Sequence, residues 1–408
     1  MAHKGTNSRK RKDRSSPQRP FVVYWNNIPA PYMVERFNAL ADRGRLDFQA
    51  WFNDRSEPGR SWIVDEAAWR FDSRYLPSCH LGQRRLHCPL PLLGRKPDLL
   101  ISLYAQPSYL CGWLIAKLRR VPTAFWCEPT FDRWVARSRL KEGIKRFVFS
   151  RVDMTIGSGQ DGRNYAMRYG VAAQRARVLR HAVDIDHFRE GRRTCLARRG
   201  ALRAELGLHG LIFVYVGRLW WGKGLATLLE AFFRVQRAGR HPVGLLLVGD
   251  GPEEESLRHA CAAHGIENVH FAGFRSKEEL PRFLAAADVF VFPSLGDPYG
   301  LSVDEAMASS LPVISTTAAG EIASRIQPGL NGYLVPPEDS PTLAEAMLQF
   351  VHSPGLAEEM GQRSRHKLGA WTPERWAEAL EAIVLTSLAP GAADEGHGII
   401  VRSGSSDP

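Results

Sequence analysis

The sequence predicts an α/β protein made of two Rossmann-like, doubly wound parallel-sheet domains facing an interdomain cleft. Its 408 residues exceed the roughly 150 of one typical domain. Short apolar runs of strand length, each closed by Gly, Pro or a polar turn, alternate with segments whose apolar residues repeat at three- and four-residue spacing. Strand and helix in alternation give a parallel sheet covered on both faces. The alternation occurs twice, with one interruption at about residues 187–205.

In the first half the strand runs are Phe21–Trp25, Leu46–Phe52, Asp98–Tyr104, Thr123–Cys127, Met154–Ile156 and Arg177–Leu179. In the second they are Leu211–Val216, Gly244–Val248, Val269–Phe271, Asp288–Phe292, Pro312–Ser315 and Gly332–Val335. Helical periodicity marks Leu225–Arg237, Pro252–Ala263, Lys277–Ala286 and Val303–Ala308. Between the halves, Arg189, Arg192, Arg193, Arg198, Arg199 and Arg203 crowd around Gly191 and Gly200 without a strand pattern, which reads as a linker. The expected organisation is therefore a basic tail over 1–20, a first domain over 21–190, a second over 191–372, a helix over 373–390 and a loose tail over 391–408. Trp376, Leu380, Ile383 and Val384 share one face of that helix, which should pack back toward the first domain. A ligand belongs where the carboxyl strand ends of the two sheets face each other.

Charge separates the tail from the rest. Lys4, Arg9, Lys10, Arg11, Lys12, Arg14 and Arg19 stand against Asp13, so the first twenty residues hold +6 of the net +11. With no apolar run, this tail reads as disordered and not as a secretion signal. No stretch approaches the eighteen or so apolar residues of a spanning helix. The six cysteines are dispersed without a CxxC pair, which argues against zinc and a disulfide framework. The expectation is a cytoplasmic protein with reduced thiols that meets a membrane, if at all, on its inner face.

The chemistry-bearing segments lie mainly in the second half. The strand Leu211–Val216 runs into Gly217-Arg218-Leu219-Trp220-Trp221-Gly222-Lys223-Gly224 and then a helix. Gly217 permits a tight turn, and two cations beside a helix N-terminus suit a diphosphate. The alternative is an ordinary turn with two solvated cations. It is not a P-loop, because Gly224 stands where Ser or Thr would bind magnesium. Farther on, Asp297 and Glu305 are separated by seven residues around a Gly-containing turn. Carboxylates accept hydrogen bonds from sugar diols, although such acids also simply cap turns and decorate helices.

Taken with those segments, Val248-Gly249-Asp250-Gly251-Pro252, Phe271-Ala272-Gly273-Phe274, Ala287-Asp288-Val289-Phe290-Val291-Phe292-Pro293-Ser294, Gly320-Glu321 and Asn331-Gly332-Tyr333-Leu334-Val335-Pro336-Pro337 complete an ordered set. The set covers most of residues 210–340 and resembles the retaining glycosyltransferases of family four, which have the two-domain GT-B fold. The resemblance implies that Gly217, Arg218 and Lys223 bind the donor diphosphate and stabilise its developing charge. It implies that Glu305 holds the ribose hydroxyls and that Asp297, where the family usually has Glu, contacts the donor sugar. Backbone around Gly300, Leu301 and Ser302 would hold sugar or phosphate, and Phe274 and Arg275 would line the base. No metal or other cofactor is implied beyond the nucleotide diphosphate sugar, of UDP or GDP type.

The first half departs from the family. Asn26-Asn27-Ile28-Pro29 replaces its Gly-Gly turn, and Phe125-Trp126-Cys127-Glu128-Pro129 stands where a histidine is common. Glu128 is the candidate polar group near the reacting centre; the alternative is a loop cap. Asp184-Ile185-Asp186 has the DxD spacing of a metal site, but it lies in the stretch that resembles the family's passage before the linker, which argues against metal, and the nearby His181 and His187 read as turn residues. Arg133, Arg137, Arg139, Lys141, Lys145, Arg146 and Arg151, interleaved with Trp134, Phe147 and Phe149, suit either an amphipathic surface on anionic lipid or a solvated helix whose aromatics face the core.

The implied activity is sugar transfer to an acceptor hydroxyl, with a lipid-linked or envelope saccharide as the leading acceptor and a soluble one as rival. Two other classes stay open: a degenerate nucleotide-binding scaffold, and a nucleic-acid binder using Lys10-Arg11-Lys12. No nucleic-acid module is recognisable in the remaining chain.

Overall fold

The computed structural model describes residues 19–57, 62, 65–81, 84–128, 138–239 and 241–389. The tails outside 19–389, Pro129, Arg133, Trp134 and Arg137 lie outside the described residues.

The first domain holds β1 (Phe21–Asn26), α1 (Pro31–Arg43), β2 (Asp47–Phe52), β3 (Asp72–Tyr75), β4 (Ser78–Leu81), β5 (Arg84–His87), β6 (Leu99–Ser102), α2 (Pro107–Leu118), β7 (Thr123–Cys127), α3 (Arg139–Phe149), β8 (Met154–Gly157), α4 (Gln160–Arg168) and β9 (Ala176–Val178). Its parallel sheet runs β3-β2-β1-β6-β7-β8-β9, and β4 and β5 form a separate antiparallel ribbon. After α5 (Ile185–Leu196) and α6 (Arg199–Glu205) come β10 (Leu211–Val216), α7 (Leu225–Ala238), β11 (Val243–Val248), α8 (Glu254–His264), β12 (Val269–Gly273), α9 (Leu280–Ala286), β13 (Val289–Phe292), α10 (Leu301–Ala308), β14 (Val313–Thr316), α11 (Ile322–Arg325), β15 (Gly332–Val335), α12 (Ser340–His352), α13 (Leu356–Leu368) and α14 (Pro373–Leu388). The second sheet runs β12-β11-β10-β13-β14-β15.

All six residues of β11 are buried, as a strand covered on both faces requires. Each such aliphatic side chain contributes about 1.5–3 kcal/mol on burial. Strand order reverses between β1 and β6 and again between β10 and β13. These are the crevices in which open α/β sheets bind ligands. The Arg218–Lys223 turn follows β10, the Asp297 loop follows β13 and Glu128 follows β7.

Two features differ from the sequence expectation. The strands β3, β4 and β5 carry no apolar run; β3 is the polar edge segment Asp-Ser-Arg-Tyr, so periodicity does not reveal it. The stretch read as a linker is helical in α5 and α6, and Val183, Ile185 and Phe188 already pack in the second domain's core.

Four contacts tie the domains together. The apolar face of α14 enters the first domain's core, where Trp376, Leu380 and Val384 join Phe37 and Tyr24. A two-pronged Arg43–Glu381 pair, with both bonds at 3.0 Å, locks that helix to the end of α1. Lys277 reaches across from before α9 to Glu35 on α1. Glu321 places its carboxylate on the amide donors of Gln160, Asp161 and Gly162 at the start of α4, and Asp161 accepts in return from the Glu321 amide at 2.8 Å.

Candidate functional site

The turn after β10 is pressed against the turn after β11. A side chain at Gly249 would place its first carbon 1.9 Å from the Gly217 carbonyl oxygen, so the close approach itself requires glycine. The Leu219 amide donates to the Asp250 carbonyl at 2.6 Å, which fixes the two turns to each other. Arg218 is half-buried, its carbonyl accepts from the Tyr215 hydroxyl at 2.9 Å, and its guanidinium Nε is buried without a hydrogen-bond partner. A buried donor without an acceptor is a position that an anion would satisfy. Lys223 ends a single tight turn before α7, and its ammonium donates to Asp297 Oδ2.

The Asp297 loop is held from several sides. Its Oδ1 accepts from the Tyr299 amide at 3.0 Å, and its own amide donates to Ser294 Oγ at 2.9 Å. Burial pushes the Asp297 carboxyl up, but the Lys223 ammonium and neighbouring amides prevail and hold it below the usual carboxylate range. Behind the loop, the buried Arg325 donates to Asp304 Oδ1 at 3.1 Å, to the carbonyls of Gly300 and Gly320 at 3.0 Å and to that of Tyr299. Gly300, at a φ of 72°, caps α10. Leu301 and Ser302 form that helix's first turn, where amides lack intrahelical acceptors.

Glu305 follows on the same helix and behaves differently from Asp297. Burial and the nearby Glu35 carboxylate push it up to about 7, against the pull of Lys277. Phe274 and Arg275 follow β12. The Phe274 ring is exposed, whereas Arg275 folds back onto the Ala272 carbonyl at 2.8 and 3.0 Å and toward Glu279.

In the first domain, Glu128 Oε1 stands 2.8 Å from His181 Nε2 and accepts from Trp126 Nε1 at 2.8 Å. Arg36 Nη1 lies 2.6 Å from His181 Nδ1. Arginine can only donate, so Nδ1 accepts and the proton sits on Nε2, facing Glu128. Burial and Arg36 push the His181 imidazole below its ordinary range, with Glu128 opposing. Burial raises Glu128, but the bonds from His181 and Trp126 and the charge of Arg36 hold it low. The His181 ring meets the Tyr299 ring edge-on at 4.7 Å, joining this cluster to the Asp297 loop of the other domain.

His181 and Arg36 are the residues that sequence reasoning missed. Nothing in their spacing pairs them, since 145 residues separate them. Of the DxD pair, Asp184 caps α5 through the His187 amide and bonds Lys277 at 3.1 Å, while Asp186 pairs with Arg189 at 2.5 Å. On α3, Phe149 faces the core but Leu140, Ile144 and Phe147 are exposed.

Residues 202–367 match the family model of glycosyl transferases group 1. The lipopolysaccharide core biosynthesis glycosyltransferase LpsE of Rhizobium meliloti (strain 1021) is 33% identical over 342 residues, covering 83% of this chain and 89% of that one. Alpha-D-kanosaminyltransferase of Streptomyces kanamyceticus is 31% identical over 170 residues, so the match spans 41% of this chain and less than half, 44%, of that relative. Among solved structures, Anabaena Alr3699/HepE in complex with UDP and glucose superposes with a TM-score of 0.71 at 18% identity, over 90% of this chain and 99% of that one. The likeness to that structure is one of fold, and the fold is GT-B.

Proposed function

Because the chain belongs to the group 1 glycosyl transferases, we propose that it moves a sugar from a nucleotide diphosphate sugar of UDP or GDP type to an acceptor hydroxyl, with retention at the anomeric carbon. The observation that carries this reading is the convergence of the Arg218–Lys223 turn and the Asp297–Glu305 loop at one strand-order reversal. Arg218, with its unpartnered buried Nε, and Lys223 take the diphosphate and stabilise its charge as the glycosidic bond breaks. Gly217 lets the backbone approach, and the Leu301 and Ser302 amides after Gly300 add donors. Asp297 holds donor-sugar hydroxyls, Glu305 the ribose, and Phe274 and Arg275 border the base. The acceptor hydroxyl attacks the face from which the diphosphate leaves, and a departing phosphate oxygen takes its proton. That route needs neither a protein nucleophile nor a metal ion. Glu128, oriented by His181, stands on the acceptor side as a polar group at the reacting centre.

A lipid-linked or envelope saccharide is the acceptor class that the surface favours. The exposed Leu140, Ile144 and Phe147 of α3 sit among Lys141, Lys145 and Arg146, an apolar and basic combination suited to the inner face of an anionic membrane. No described helix is long and apolar enough to cross one.

The test is transfer from labelled nucleotide sugars into membrane lipid extracts, with the anomeric configuration of the product read by NMR. A retained configuration and a lipid-soluble product support the reading. Inversion, or turnover confined to soluble acceptors, contradicts its mechanism or its acceptor respectively.

A further inference from the structure

At the opposite end of α10 from the Asp297 loop, a cleft of about 860 Å³ opens between α5, the start of α6 and α13, a size within the range of small-molecule sites. Arg189, Arg192, Arg193, Arg199, Arg365 and His366 line it. Its acids are largely occupied: Asp288 is shared by Arg199 and Arg203 at 2.6 Å each, and Glu190 pairs with Arg193 at 2.5 Å.

Two of the cations form no direct ion pair: among the described residues no carboxylate is in contact with Arg192 or Arg365, although Asp288 and Glu358 act on Arg192 from a distance. Polar groups in the cleft wall are also unsatisfied. The Nε atoms of Arg192 and Arg199 are buried without a partner, and so is Ser309 Oγ, on a residue only 1% exposed. Buried polar groups without partners are rare enough to require an explanation. Burial and the neighbouring Arg199 push the Arg192 guanidinium down to about 10, so it stays charged at neutral pH beside another cation.

We infer that this cleft is a second binding site, separate from the donor site, for a soluble ligand carrying a phosphate or diphosphate group. A guanidinium fork and a hydroxyl donor match phosphoryl oxygens. The concave shape favours a small molecule over the flat surface of a bilayer.

Inorganic pyrophosphate is the probe, titrated calorimetrically into the full chain carrying Arg218→Ala and Lys223→Ala, so that the donor clamp does not contribute. Saturable binding should persist there and weaken at least tenfold when Arg192→Ala and Arg365→Ala are added. Arg365 is exposed, so Arg365→Ala alone, with a smaller loss, keeps the test decisive if the Arg192 variant does not fold. Absence of binding in the clamp-less protein, or binding indifferent to Arg192 and Arg365, would overturn the inference. So would binding that depends on these arginines only with phosphatidylglycerol vesicles and not with pyrophosphate.

Discussion

The ammonium of Lys223 donates to the carboxylate of Asp297, so the cation assigned to the donor diphosphate and the acid assigned to the donor sugar are each other's partners. Both are largely buried, and breaking such a pair leaves an uncompensated charge. Lys223→Ala should lower transfer at least tenfold, and the Lys223→Ala/Asp297→Asn double variant should lose less than the sum of the two single losses. Strict additivity in the double-mutant cycle would show that the pair does not act as a unit. In the same assay, Asp297→Glu should shift donor preference or rate, since it moves the carboxylate by one methylene; unchanged kinetics with every donor would mean that this side chain does not touch the sugar.

Two titrating groups near the site, His181 and Glu305, should act on stability in opposite directions. His181 is held below its ordinary range, so the unfolded chain takes up its proton first. Its contribution is fully present above about 6.5 and is lost as pH falls through the folded value. Between pH 7.5 and 5, unfolding temperature should therefore fall more steeply in the native protein than in His181→Gln. Parallel curves would remove His181 from the pH response.

Glu305 has the contrary sign. Its folded value of about 7 lies above the ordinary 4.5, so its contribution is fully present below the ordinary value and is lost as pH rises through 7. Glu305→Gln should be more stable than the native protein at pH 8, by about 3 kcal/mol, with the difference shrinking toward pH 5. The same variant should weaken donor affinity about tenfold if the carboxylate holds the ribose. Stabilisation without loss of affinity would assign Glu305 to structure alone.

Arg325 is assigned no ligand contact of its own but holds the Asp297 loop through Asp304 and three carbonyls, that of Gly300 among them. Arg325→Ala should cost about 3–5 kcal/mol, as removal of one partner from a buried ion pair does. Arg325→Lys, which keeps charge but loses the fork, should fold and raise the KM for donor more than it lowers kcat. An unchanged KM in a folded Arg325→Lys protein would remove the positioning role.

The sequence displayed most of the frame, because buried parallel strands must be continuous apolar runs. Leu211–Val216, Thr123–Cys127 and Gly332–Val335 have the same limits in sequence and structure. It concealed β3, whose Asp72, Ser73 and Arg74 are exposed, and it disguised α5 and α6 as a linker because their many arginines mask a narrow apolar stripe. The segments proposed to hold the donor stand out in the sequence because their residues lie in compact turns with diagnostic glycines. The cluster of Arg36, Glu128 and His181 was not, since it is assembled from α1, the end of β7 and the chain after β9. No local spacing announces such a contact, and His181 in isolation looks like a turn residue.

The most direct test of the central claim is calorimetric titration of the purified protein with UDP, GDP, ADP and dTDP and their common sugar conjugates, alongside Arg218→Ala. The account predicts saturable binding of one nucleotide type, UDP or GDP, and its loss in the variant while the fold, followed by circular dichroism, is retained. A folded native protein that binds none of the panel, or an Arg218→Ala variant that binds as tightly as the native chain, would contradict it.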